Sequence, residues 1–166
     1  MLKKVISGCQ TGADIAGLEV AKEFGIETGG TMPFGFKTLA GCKPEYKDMY
    51  GVTAHNSSSY VPRTRKNVKD SDATIRLAYN FNSRGELCTL KAIKDYKKPH
   101  FDVDLSDPPD ISCVTNWISG LTIEVLNVAG NAEETSPGTH AAATEYLRKL
   151  FMYDPHHRKS RILSTP

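Results

Sequence analysis

The sequence predicts an α/β protein with a mostly parallel central sheet and helices on both of its faces. Two observations carry this. Short apolar runs of strand length alternate with longer segments whose apolar residues recur every three or four positions. The alternation continues along nearly the whole chain, and parallel neighbours need crossover connections, which helices supply. At 166 residues a single domain is expected, covering residues 1–151 and followed by a tail, residues 152–166.

The elements follow in order. Residues 3–7 read as the first strand. Residues 13–24 read as a helix, with Ile15, Leu18, Ala21 and Phe24 on one side, Glu19, Lys22 and Glu23 toward water, and Gly25 as its stop. Residues 26–28 form a short second strand ended by Gly29-Gly30. Residues 31–62 lack periodicity and are too long for a plain connection, which marks a functional loop or an excursion with small elements of its own. A short helix is expected over residues 64–71 and a third strand over 73–77. A helix over 86–96 puts Leu87, Leu90 and Ile93 on one side and ends before Pro99. Residues 100–105 are the next strand, 111–119 a helix closed by Gly120, 123–129 a strong strand, and 138–151 the last helix. The tail reads as an extended arm or a disordered end.

Composition excludes several classes. The formal net charge is +2, and Arg158, Lys159 and Arg161 against Asp154 account for all of it, so the body has no basic field for nucleic acid. No apolar run approaches the ~20 residues of a membrane span, and the first residues lack a signal-type apolar region, so a cytoplasmic protein is expected. Cys9, Cys42, Cys88 and Cys113 are widely spaced, which suits reduced thiols rather than a metal or disulfide framework. His156-His157 show no metal-ligand pattern.

Ligands of such sheets sit beyond the carboxyl ends of the strands, so the loops after the first, second, third and last strands should converge. The first is Ser7-Gly8-Cys9-Gln10-Thr11-Gly12-Ala13-Asp14. Its glycines allow close backbone approach, and its amides at a helix start favour an anion. A structural turn with Asp14 as helix cap fits the spacing equally well, since neither standard phosphate fingerprint is present. Arg63 and Arg65 are of the type that clamps phosphate or carboxylate, or else they lie on a solvated helix face balanced by Asp70 and Asp72.

The pieces SGCQTGAD, GG with a following proline and glycine, RT..NV.DSDAT and LNVAG…SPG occur in this order over residues 5–151. Together they resemble the "putative molybdenum carrier" family. That family belongs to the SLOG group of nucleotide-binding domains, which also holds the lysine-decarboxylase-like phosphoribohydrolases. The resemblance implies a Rossmann-like three-layer sandwich, a homo-oligomer (dimer or tetramer), and the molybdenum cofactor, a pterin with a phosphate tail, carried as cargo. The matching ligand-binding positions are Ser7, Gly8, Gln10, Thr11, Gly12, Asp14, Gly29, Gly30, Arg63, Thr64, Asn67, Asn127, Gly130 and Gly138. No catalytic or metal-binding residue is implied.

Three places depart from the family pattern. Cys9 replaces a second glycine. Ser83-Arg84-Gly85-Glu86 replaces a glycine- and threonine-rich turn, and Glu86 there is expected to cap its helix and to repel a phosphate at the same amides. Glu133-Glu134 put two acids where a basic residue is usual. The leading function is thus a non-catalytic carrier or binder of a phosphorylated small molecule. The alternative is a SLOG-type protein that senses or sequesters a signalling nucleotide. A phosphoribohydrolase comes third, because the PGGxGTxxE signature is absent and the acid/base candidates Asp14 and His140 read more plainly as a cap and a helix residue.

Overall fold

The computed structural model describes residues 2–153. The expectations of an extended tail and of His156-His157 fall on residues 154–166 and lie outside them. Strand β1 (Lys4–Ile6) leads into helix α1 (Ala13–Glu23) and strand β2 (Glu27–Gly29). The excursion does carry small elements: β3 (Thr31–Met32), a 3₁₀ turn (Phe34–Phe36), β4 (Lys37–Thr38), β5 (Gly41–Cys42), α2 (Tyr46–Tyr50) and β6 (Thr53–Ala54). Then come α3 (Tyr60–Asp70), β7 (Ala73–Ala78), α4 (Arg84–Tyr96), β8 (His100–Asp104), α5 (Ile111–Gly120), β9 (Val125–Gly130) and α6 (Thr139–Met152).

Helix α3 starts at Tyr60 rather than at residue 64. Ser59 caps it by accepting from the Val61 amide, and Pro62 falls in the first turn, where its missing N–H breaks no bond. Helix α4 starts at Arg84, two residues early, because Ser83 accepts from the Glu86 amide.

The central sheet has five parallel strands in the order β2-β1-β9-β7-β8. The last strand in sequence therefore lies in the middle. Counted from β9 as the first, the order reads 3-2-1-4-5, the arrangement of a dinucleotide-binding sheet cut and rejoined at a different loop. Helix α6 packs on α1 and α5 in one layer, and α3 packs on α4 in the other.

The two faces of the sheet differ chemically. Ile75, Leu77, Leu126 and Val128 join Leu18, Leu147, Leu150 and Phe151 in the main core, each fully buried, and each such side chain contributes about 1.5–3 kcal/mol. Under α3 and α4 the apolar cluster is only Val68, Ala92 and Ile93 with Tyr96 against it. Alternation puts Thr74, Arg76 and Asn127 on that side, so it is polar toward the strand ends. Among the described residues no helix is long and apolar enough to cross a membrane.

Candidate functional site

The polar side of the sheet opens into a cavity of about 450 Å³ at the carboxyl ends of β1 and β9. Helices α3 and α4 form its walls, through Tyr60, Arg63, Thr64 and Asn67 and through Ser83 to Glu86, Cys88 and Thr89. Gly8, Gln10 and Asp14 come from the first loop, Asn127 to Ala132 from β9 and its loop, and Leu39 from the excursion. It lies beside the boundary between β9 and β7, where consecutive connections leave for opposite layers, the place such sheets offer to a ligand.

A buried ion pair sets the near wall. Arg63 Nη1 lies 3.2 Å from Asp14 Oδ2, with the two side chains 11% and 5% exposed. Burial holds the Asp14 carboxyl above its ordinary range, while Arg63 and the amides of Gln10 and Gly130 pull it down. Asp14 is thus an interior partner of Arg63, and no side-chain cap is present on α1. Among the described residues, Arg63 Nε is buried with no hydrogen-bond partner. Arg65, by contrast, points outward, 2.7 Å from Asp95 and over the ring of Tyr96, so it lies on a solvated face balanced by Asp95 rather than by Asp70 or Asp72, whereas Arg63 is buried.

Behind Glu86, outside the cavity lining, lies a second buried charged group. Arg76, 2% exposed, binds the two oxygens of Asp102 on β8 and reaches Glu86 Oε2 at 3.4 Å. Glu86 is 1% exposed, and burial pushes its carboxyl up to about 7 against the opposing pull of Arg76. The expectation that Glu86 caps its helix is overturned. Ser83 already holds the Glu86 amide, and the carboxylate turns inward to Arg76.

Of the positions carried by resemblance, Gly8, Gln10, Asp14, Arg63, Thr64, Asn67, Asn127 and Gly130 line the cavity. The others do not, for identifiable reasons. A Cβ on Gly12 would sit 2.2 Å from the Asn131 carbonyl oxygen, and one on Gly30 would sit 2.1 Å from the Ser7 carbonyl oxygen. These glycines make room for the chain itself. Ser7 is fully buried, outside the cavity lining, and its hydroxyl has no hydrogen-bond partner among the described residues. Thr11 binds the Glu134 carboxylate, and Gly29 packs by Lys4. Gly138 ends the polar loop in a left-handed conformation, away from the cavity.

The helix starts on the opposite layer are also closed. The amide of Ala13 donates to the Asn131 carbonyl, those of Thr11 and Leu39 to Gln10 Oε1, and that of Gln10 to Asp14. At α6 the Glu133 carboxylate accepts from the amides of Gly138 and His140, at 2.7 and 2.8 Å, which lowers its own pKa. An anion at the Gln10, Thr11 or Ala13 amides, or at the start of α6, would have to displace these groups.

Sequence reasoning missed Asn131. Its side chain accepts from the amides of Tyr79 and Asn80 and donates to the Asn80 carbonyl, all at 3.0 Å, which ties the loop after β7 to the end of β9. It also missed Leu39 and Val61, two half-exposed apolar residues at the rim. Isolated apolar residues in a segment without periodicity leave no signal of their own. Among the described residues, no three His, Cys, Asp or Glu side chains are grouped to hold a metal ion.

The family described as the circularly permutated YpsA SLOG family matches residues 5–151, and the sheet order explains the permutation in that description. Among solved structures, a protein from Syntrophus aciditrophicus SB described as "Putative molybdenum carrier protein" is similar, with 34% identity and a TM-score of 0.81. The match covers 91% of this chain and 95% of that one. No match was found among curated proteins.

Proposed function

The chain belongs to the circularly permutated YpsA SLOG family, and from that premise we propose that it binds and carries a phosphorylated heterocyclic small molecule in the cavity between α3, α4 and β9. The observation that carries this is the make-up of the cavity. It joins an apolar rim, a polar buried floor and two guanidinium groups in about 450 Å³, a size suited to a mononucleotide or a pterin phosphate rather than a macromolecule.

The phosphoryl group belongs at the mouth. Arg84 occupies the first turn of α4, where the helix dipole disfavours a cation, and among the described residues it has no acidic partner. An anion there answers the charge of Arg84, and Arg63, already paired to Asp14, lines the same cavity. The inward turn of Glu86 removes the repulsion expected from sequence, because its carboxylate is turned toward Arg76 rather than set against the amides.

The solved relative's description points to a molybdenum-related cargo, and by that analogy we propose the molybdenum cofactor as the ligand. With no metal-ligating cluster among the described residues, its pterin and phosphate would supply the contacts. A signalling nucleotide satisfies the same groups and is the second reading. Native mass spectrometry of the purified protein tests both. Retained mass identifies the ligand and subunit mass the oligomer, and denaturing release followed by fluorescence separates a pterin from a purine. A protein that retains nothing and binds no phosphorylated heterocycle by calorimetry overturns the proposal.

A further inference from the structure

Beneath α3 and α4 there is one more carboxyl than the inner arginines can answer. Asp14 on α1 has Arg63 from α3 at 3.2 Å and accepts from the Gln10 amide. Asp102 on β8 takes two nitrogens of Arg76, at 2.8 and 2.5 Å, and its side chain is 40% exposed besides. Glu86 is 1% exposed and receives only a 3.4 Å contact from Arg76 Nη1, a nitrogen that also donates to the Glu86 carbonyl at 3.3 Å. Three carboxyls thus share two guanidinium groups, and the one left over lines the cavity. The other groups around it do not fill the gap. His100 on β8 lies 4.0 Å from Asp102, and Arg65 on α3 is turned outward to Asp95. Arg84 and Cys88 on α4 itself and Tyr60 on α3 line the cavity, and among the described residues none of them pairs with the Glu86 carboxylate. β9 presents the neutral Asn127. A proton removes the excess charge, and burial accordingly pushes the Glu86 carboxyl up to about 7.

A ligand that carries negative charge into this cavity meets that surplus carboxyl. It also displaces the water that now solvates it. Both effects favour the neutral acid. Two unit charges about 10 Å apart, roughly the width of a cavity of this volume, raise a carboxyl's titration midpoint by about one pH unit at an effective dielectric constant near 20. Asp14 and Asp102 are each held charged by an arginine of their own, so the proton goes to Glu86. We propose that the cavity takes up an anionic ligand together with a proton, which settles on Glu86, so that the site holds its cargo most tightly below neutral pH and loosens as pH rises. This rests on the reading of the cavity as the site of a phosphorylated molecule and adds what controls its grip.

The test is calorimetry on the full chain with GMP, AMP and a phosphorylated pterin, continued with whichever binds most tightly. Titrations at pH 7.5 in two buffers of different ionisation enthalpy count the protons exchanged. At that pH the ligand's phosphate, with a second ionisation near 6, is already a dianion. Wild type is expected to take up about half a proton per ligand bound, and Glu86→Gln close to none. From pH 6 to pH 8 the wild-type affinity should drop about fivefold relative to that of the variant, in which the ligand's own ionisation is the same. If both proteins bind with the same proton count, the coupling is wrong while the binding site stands. If none of the three ligands binds, both fall. Should the variant not fold, the wild-type count decides alone: uptake upholds the coupling, and zero or release overturns it.

Discussion

The guanidinium of Arg63 lies across the Cα of Gly8, where a methyl group would sit 1.8 Å from Nη1 and 2.3 Å from Cζ. The bare backbone of the first loop is thus the seat of an arginine from α3. Only with that seat empty can Nη1 reach Asp14.

Gly8→Ala should push Arg63 off Asp14. Breaking a buried pair costs about 3–5 kcal/mol when one partner is deleted, and less where the displaced group can swing to water, so a loss of about 1–3 kcal/mol is expected in urea unfolding. The same change should be nearly silent in an Arg63→Ala background, and full additivity would show that Gly8 serves something else.

Arg63→Ala should weaken binding of any phosphorylated ligand tenfold or more, since a charge-assisted contact is worth roughly 1.5–3 kcal/mol. Arg65→Ala, two residues along the same helix but paired outward to Asp95, should leave affinity within about twofold by calorimetry. Equal losses in the two variants would point to a general field rather than a contact.

Glu86 makes stability depend on pH with a definite sign. Its folded carboxyl sits at about 7 against an ordinary 4.5, so the native state holds the proton more tightly than the unfolded chain. Stability from this group is full below the unfolded value and is lost as pH rises through about 7, on the order of 3 kcal/mol in all. The charged groups around it are Arg76, Asp14 and Asp102. Urea unfolding between pH 5 and 8 should fall more steeply for wild type than for Glu86→Gln. Parallel profiles would refute the assignment.

Glu133→Ala should remove the carboxylate that holds the start of α6 and cost about 1 kcal/mol, typical of a lost helix cap. Ligand affinity should not change, because Glu133 lies outside the cavity lining. Tighter binding in this variant would mean that Glu133 normally keeps an anion out.

A carrier does not turn its cargo over. Incubation with AMP, GMP and CMP should release no free base above a no-protein control. Release that disappears in Glu86→Gln would make the inward carboxylate a catalytic group and the protein an enzyme.

The alternation of strand and helix was legible because burial imposes two different periods on one chain. The start of α3 was not, since Pro62 closes the non-periodic segment 31–62 in sequence and is here a first-turn residue of the helix. The glycines mark the deeper limit. Gly12 and Gly30 announce close backbone approach in sequence, and the approach is real, but what approaches is Asn131 and Ser7 rather than a ligand. The direction of Glu86 was hidden for a similar reason. A carboxylate in the first turn looks like a cap until Ser83 is seen to hold the amide, and an arginine buried on β7 gives the carboxylate somewhere else to go.

The place of β9 in the middle of the sheet sets the order in which the molecule can assemble during synthesis. β1 pairs with β2 across about two dozen residues of chain and β7 with β8 across a similar span, so each pair can form while the ribosome is still at work. The strand that joins them is Val125–Gly130, paired to β1 on one side and β7 on the other. Until it emerges, the facing edges of β1 and β7 lack their parallel neighbour. At translation rates of about 5–20 residues per second, that open interval lasts several seconds. It ends when one six-residue strand enters between the two pairs. The same insertion brings in Asn127, Gly130 and Asn131, so the sheet and the mouth of the cavity are completed in a single late event.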